Sequence, residues 1–137
     1  MAAKSFRRRK SVGTLAENEL LNNFWESQWV CVRVAGSGST RHPAPDLLAS
    51  RGDRKLVMEI KMVSSSKKYF TQKEIQELDF FAGQFGAESW IGVKFIENQW
   101  YFLPISELEK TKSGNFVCGL VEMKRKGFTF NEMIESN

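Results

Sequence analysis

From Thr14 to about Gln28 the apolar positions recur with a helical period. Leu20, Leu21 and Phe24 fall three, four and seven places after Glu17, so one helix face carries all four residues. Glu19, Asn22, Asn23 and Glu26 form the polar face, and Thr14 with Glu17 has the T-x-x-E spacing of a capping box. Glu17 is the exception to the pattern, a carboxylate on the apolar side. Trp29 to Val34 is short and β-branched and reads as a strand. The stretch from Ala35 to Pro45, rich in glycine, hydroxyls and proline, reads as a loop. Asp46 to Ala49 predicts a second strand, Ser50 to Arg54 a turn and Lys55 to Met62 a third strand, together a hairpin with its polar groups at one end.

Ser64 to Lys68 reads as a flexible basic loop. A helix then starts at Thr71, where Thr71 and Glu74 make a second capping box. Its buried stripe is Ile75, Leu78, Ala82 and Phe85, and Gly86 ends it. Trp90 to Phe95 and Trp100 to Leu103 are two further strands joined by a tight Ile96 to Gln99 connection, with Pro104 stopping the second. A helical turn near Ser106 to Glu109, a loop from Thr111 to Asn115 and a capped turn at Thr129 with Glu132 complete the chain. The order predicts an α/β fold with a mixed central sheet of about five strands flanked by helices, because strands this hydrophobic need cover on both faces.

At 137 residues the chain is one domain's length, and 42% hydrophobic content gives it enough to bury a core. No apolar run approaches the roughly 18 residues of a spanning helix, and no apolar segment follows the charges of the N-terminus, so neither an anchor nor a signal peptide is expected. Cys31 and Cys118 read as apolar thiols in a reducing compartment. His42 is the single histidine, which rules out a Cys/His zinc site and leaves oxygen ligands for any metal. The net charge of +4 is unevenly spread: residues 1–16 hold five bases and no acid, whereas residues 17–137 hold fifteen bases against sixteen acids. The expected organisation is a basic arm, residues 1–12, on a single-domain body, residues 13–137. Such an arm suits nucleic acid before a membrane, since no apolar face accompanies it; a solvated tail is the alternative.

Pro45-Asp46 is followed, twelve residues later, by Glu59-Ile60-Lys61. Side chains alternate along a strand, so Glu59 and Lys61 share one face while Met58, Ile60 and Met62 take the other. The hairpin turn carries Asp46 alongside Glu59, so two carboxylates and an ammonium converge. Paired carboxylates are hard ligands suited to Mg²⁺ held with a substrate phosphate, and a neighbouring lysine can orient water or stabilise a pentacovalent transition state. The alternative for Glu59 and Lys61 is a plain surface ion pair worth under about 1 kcal/mol.

The Pro-Asp, Glu-x-Lys pattern resembles that of the PD-(D/E)xK nucleases, and the chain is more narrowly similar to the Holliday junction resolvases of archaea and their viruses. The resemblance rests on Gly13 to Leu20, Val32 to Ser39, Ala44 to Ala49, Met58 to Lys61, Ile91 to Lys94 and Thr111 to Phe116, in the family's order over most of the chain. It implies a restriction-endonuclease-like fold, with Glu17, Asp46 and Glu59 holding Mg²⁺ or Mn²⁺ and Lys61 acting at the attacking water. It also implies a role for a loop hydroxyl, with Ser37 at the matching position and Ser39 and Thr40 as neighbours. Asn18 departs from the family, which often has a base there. The resemblance further implies a homodimer, to which the aromatic pair Phe80-Phe81 and the tryptophans can contribute. Arg7, Arg8, Arg9, Lys10, Arg33, Lys67 and Lys68 are the candidate DNA contacts, each open to the alternative of a solvated base, and His42 reads as a loop residue near DNA.

The leading expectation is therefore an intracellular, cytoplasmic, metal-dependent endonuclease, of archaeal or viral origin. It is expected to bind four-way DNA junctions and nick two opposed strands, leaving 5′-phosphates. A restriction or repair nuclease acting on duplex DNA, an inactive architectural DNA-binding protein and a plain interaction domain are the alternatives.

Overall fold

The computed structural model describes residues 15–36, 41–95 and 99–136. The first helix, α1, runs over residues 15–26 and buries Ala16, Leu20 and Phe24, one residue per turn. Gln28, at φ 68°, turns the chain out of it. The strands β1 (Val30–Arg33), β2 (Leu47–Arg51) and β3 (Arg54–Val63) follow. β1 to β3 form an antiparallel meander, and Gly52, at φ 60°, supplies the left-handed residue of the two-residue β2–β3 turn. Strand β4 (Lys67–Phe70), helix α2 (Gln72–Phe85), β5 (Glu88–Phe95) and β6 (Trp100–Pro104) come next. Helix α2 has the predicted capping box at Thr71 and Glu74 and the predicted left-handed Gly86 cap. β5 lies parallel to β3 and antiparallel to β6, giving the five-stranded mixed order β1-β2-β3-β5-β6.

Strand alternation divides the core into two layers. Leu56, Met58 and Ile60 face one way, into a cluster with α1, Trp29 and Met133. Val57 and Val63 face the other, against Ile75, Leu78 and Ala82 of α2. The predicted two-sided cover is thus present. Cys31 and Cys118 belong to opposite layers, and burial pushes their thiols up to about 12 and about 11. They are inert packing residues.

A second sheet, order β4-β8-β7, was not legible in the sequence. It joins β4 to β7 (Glu109–Lys110) and β8 (Phe116–Gly119). Lys67 and Lys68 therefore lie on a strand, which corrects the expected loop from Ser64 to Lys68; only residues 64–66 form a bend. Helix α3 (Leu120–Lys126) was also not predicted, whereas α4 (Phe130–Glu135) carries the expected Thr129 and Glu132 box. The predicted turn at Ser106 to Glu109 is a 3₁₀ turn at Ile105–Glu107. Phe85 departs from the expected stripe. It sits in the last turn of α2, beside the Gly86 cap, and is 51% exposed while stacking on Phe81 at 5.5 Å. Thr14 and the connection at 96–98 lie outside the described residues.

The sheet is packed tightly at Gly92, where an added Cβ would stand 2.9 Å from Phe102 and 3.0 Å from Ile60, while at Gly83 in α2 it would meet nothing within 4 Å. Gly92→Ala is expected to lower stability by about 1–3 kcal/mol through overpacking. Gly83→Ala should raise it by about 0.5–1 kcal/mol through helix propensity. Urea denaturation of both variants checks the opposite signs.

Candidate metal and phosphate site

The β2–β3 ladder delivers the predicted pair. Leu47 stands opposite Met58, and one step earlier the Asp46 N–H donates to the Met58 carbonyl at 2.9 Å, which brings Asp46 level with Glu59. The Asp46 carboxylate turns into the ladder itself and accepts the Ile60 N–H at 2.8 Å. A hydrogen bond between a charged acceptor and a backbone donor fixes that side chain more firmly than a neutral one. Val34 ties the β1 end to the same point by donating to the Asp46 carbonyl at 2.9 Å.

Glu59 feels this arrangement most. Burial raises its pKa, a hydrogen bond to Asp46 and the charge of Asp46 raise it further, and Lys61 opposes them only in part, so that it is pushed up to about 9. A like charge beside a half-buried carboxyl disfavours its ionised form, so Glu59 keeps its proton well above the usual carboxylate range. Lys61, two residues along, projects from the same face as Glu59, because Met58 and Ile60 are committed to the opposite core layer. The cleft above them, about 460 Å³, is walled by Arg41 and His42 on one side and by Lys73, Glu74 and Glu77 of α2 on the other. A larger cleft of about 660 Å³, lined by Ile75, Trp90, Ile105 and Phe128, contains none of the predicted site residues.

Glu17 reaches the same end of the sheet from the other layer, since α1 packs on the Met58 and Ile60 side. Its pKa is raised by burial and by Asp46, against the lowering effect of Arg33 and Lys61, so it lies within electrostatic reach of the pair. Its carboxylate is engaged by the Arg33 guanidinium at 3.1 Å. Among the described residues no three Asp, Glu, His or Cys side chains converge into a ready-made ion cage. Asp46 and Glu59 are brought together; Glu17 is brought near and held aside. With side chains 37% and 19% exposed, the Arg33–Glu17 pair is worth about 1 kcal/mol or less, so it yields to a stronger partner for either residue.

The donor set fits a hard divalent cation. Asp46 and Glu59 set carboxylate oxygens side by side, Glu59 is held protonated up to about 9, which a cation would reverse, and a third carboxylate, Glu17, stands nearby. Of the other predicted residues, Lys67 and Lys68 lie on β4, away from this cleft's walls, with Lys68 over the Phe70 ring at 5.8 Å. Ser37, Arg7, Arg8, Arg9 and Lys10 lie outside the described residues. Sequence reasoning missed Arg41, Lys73, Glu74 and Glu77. The one signal for the last three was the i, i+4 spacing of Lys73 and Glu77, 3.9 Å apart, on the helix that covers β3.

The model of the family described as archaeal Holliday junction resolvase (Hjc) matches residues 8–137. The chain is 38% identical to the crossover junction endodeoxyribonuclease Hjc of Archaeoglobus fulgidus over 103 residues, 75% of this chain and 76% of that protein. It is 31% identical to the Sulfolobus acidocaldarius protein of the same name over 127 residues, 91% and 87% of the two chains. The solved structure of A. fulgidus Hjc, a Holliday junction resolvase from an archaeal hyperthermophile, superposes with a TM-score of 0.79 at 33% identity, covering 86% of this chain and 94% of that one.

The raised Glu59 pKa has a measurable consequence in metal-free protein. Between the ordinary carboxylate value and about 9 the folded state holds a proton that the unfolded state has lost. The stabilisation this proton confers is full below pH 4.5 and disappears as the pH rises through 9. Glu59→Gln, whose amide can donate to Asp46 at any pH, should flatten that decline. Urea midpoints between pH 5 and pH 9 with a chelator present measure it, and parallel profiles for the two proteins would refute the shared proton.

Proposed function

Because the chain belongs to the archaeal Holliday junction resolvase family, we propose that it is a nuclease that resolves four-way DNA junctions by nicking two opposed strands, leaving 5′-phosphates. The observation that carries this reading is the Asp46 and Glu59 pair, level across the β2–β3 ladder with Lys61 on the same face as Glu59. Asp46, Glu59 and Glu17 are the residues that would hold Mg²⁺ or Mn²⁺. When bound, such an ion neutralises charge at the scissile phosphate and makes water there a better nucleophile.

The chain's own residues do the rest. Asp46, locked by the Ile60 N–H, fixes the position of the site. Lys61 orients the attacking water and faces the negative charge that grows on the phosphoryl oxygens. Arg33, paired with Glu17 in the DNA-free protein, is placed to exchange that carboxylate for a backbone phosphate, which would leave Glu17 free for the ion. Ser37 is the proposed hydroxyl near the scissile phosphate. Lys67, Lys68 and the arm residues Arg7, Arg8, Arg9 and Lys10 add phosphate contacts. Recognition of a junction through shape and charge calls for few base contacts and gives steep salt dependence.

Two opposed cuts need two sites, hence a two-fold dimer. The exposed aromatic face of α2 supports one. Phe80 is 65% exposed and Phe85 51%, the latter stacked on Phe81, apolar surface that a lone domain gains nothing by showing to water. An intracellular location fits a DNA substrate, and no helix among the described residues is long and apolar enough to cross a membrane.

Asp46→Ala and Glu59→Ala should abolish Mg²⁺-dependent cleavage of a synthetic junction while retaining binding, and Lys61→Ala should slow it about a hundredfold or more. Equal cutting of junction and linear duplex would remove the junction reading; cleavage surviving both acid substitutions would remove the site. In a separate test, Phe80→Glu with Phe85→Glu should give a monomer by light scattering that no longer makes paired cuts within one binding event on a cruciform plasmid.

A further inference from the structure

The second sheet with α3 is a basic lobe that the linear sequence conceals. Residues 64–70 and 107–126 hold seven bases against three acids, whereas the rest of the chain from residue 17 onward holds eight bases against thirteen acids. The excess comes from segments some forty residues apart in the chain, which β4–β8 pairing and the Leu120 N–H bond to the Ser66 carbonyl, 2.8 Å, bring together.

The lobe's outward side can be read from register. Lys68 and Phe70 pair with Cys118 and Phe116 on the face turned to the core, so Lys67 and Tyr69 occupy the outer face, where Tyr69 is 57% exposed. On α3, Lys124 and Arg125 follow Val121 by three and four residues and share its exposed face. Lys126 has a structural task, donating to the Glu107 carbonyl at 2.9 Å and lying 3.8 Å from Glu109. Lys124 and Arg125 have none: neither enters an ion pair with a described residue. One base would satisfy the C-terminus of so short a helix, and with Lys126 engaged by Glu109, Lys124 and Arg125 remain as adjacent cations whose repulsion an outside anion would relieve. Lys67 and Lys126 border the same small cleft, together with Glu109 and Glu122, which sets the β4 and α3 bases on adjoining parts of the lobe.

We infer that this lobe, through Lys67, Lys124 and Arg125 with the Tyr69 hydroxyl, is a second phosphate-binding surface that holds a duplex arm of the junction beyond the point of cutting. The inference rests on the junction reading above. Its place in the fold suits the task. Lys61 and Ser66 are five residues apart in the chain and so at most about 18 Å apart, roughly half a helical turn of duplex. A duplex leaving the Asp46 and Glu59 cleft therefore has this surface within reach of its first turn.

The test is binding of the full chain to immobile junctions with arms of about one and about two helical turns, across a salt series. K124Q/R125Q should reduce the slope of log affinity against log salt by about two on the long-armed junction. K67Q should reduce it by about one, with a larger loss on long arms than on short ones for both variants. For K124Q/R125Q, cleavage at saturating protein should stay at the wild-type rate, and thermal unfolding of both variants should be unchanged. Wild-type affinity and slope in both variants would overturn the inference, as would a slowed cleavage step with unaltered binding. Loss of binding to phosphatidylserine vesicles in place of DNA would overturn it in favour of a membrane partner. If the wild-type chain itself bound no junction, the fault would lie with the junction reading on which the lobe's role depends.

Discussion

Across the β2–β3 ladder the Asp46 and Glu59 side chains are held level at the floor of one cleft. Asp46 is fixed by the Ile60 N–H, and Glu59 is fixed by strand alternation that sends its neighbours Met58 and Ile60 into the core. Burial and the neighbouring Asp46 charge push the Glu59 carboxyl up to about 9, a penalty on its charged form that a bound cation would relieve. A protein selected only for stability has a cheaper choice at both positions. The pair makes sense as half of an ion site whose other half is supplied from solution.

The remaining architecture serves that juxtaposition. The tight turn at Gly52 sets the register that brings Asp46 level with Glu59. The parallel β3–β5 pairing, with α2 as its crossover, covers the Glu59 face and brings Lys73, Glu74 and Glu77 to the cleft wall. Helix α1 covers the other face and sends Glu17 to the sheet end, where Arg33 keeps it aside. The partly exposed Arg33–Glu17 ion pair is easily rearranged, whereas the Asp46 carboxylate is held in the ladder by the Ile60 N–H.

Much of this was legible from residue pattern. The Asp46 and Glu59 juxtaposition follows from a period of two on either side of a short polar turn, and the α2 boundaries follow from Thr71, Glu74 and Gly86, which act locally. The second sheet was hidden because β7 and β8 are two and four residues long, too short for any period to show, and because β4 was disguised by a run of serines and lysines that resembles a loop. The basic lobe was hidden for a related reason: its charges come from distant segments and become a patch only through β4–β8 pairing. Phe85 fits the helical stripe but falls where α2 ends and the chain leaves the core. That Glu17 would face Arg33 was beyond sequence reasoning, since it depends on how one end of α1 meets the end of β1.

The decisive measurement is calorimetric titration of the metal-free protein with Mn²⁺ at pH 7 in two buffers of different ionisation enthalpy. A carboxylate pushed up to about 9 is protonated at that pH, so an ion binding between Asp46 and Glu59 must expel about one proton per chain, and the apparent heat must differ between the buffers accordingly. Glu59→Gln should lose both the binding and the proton. Saturable binding with no buffer dependence, or no binding at all, would contradict the shared-proton site and the nuclease chemistry built on it.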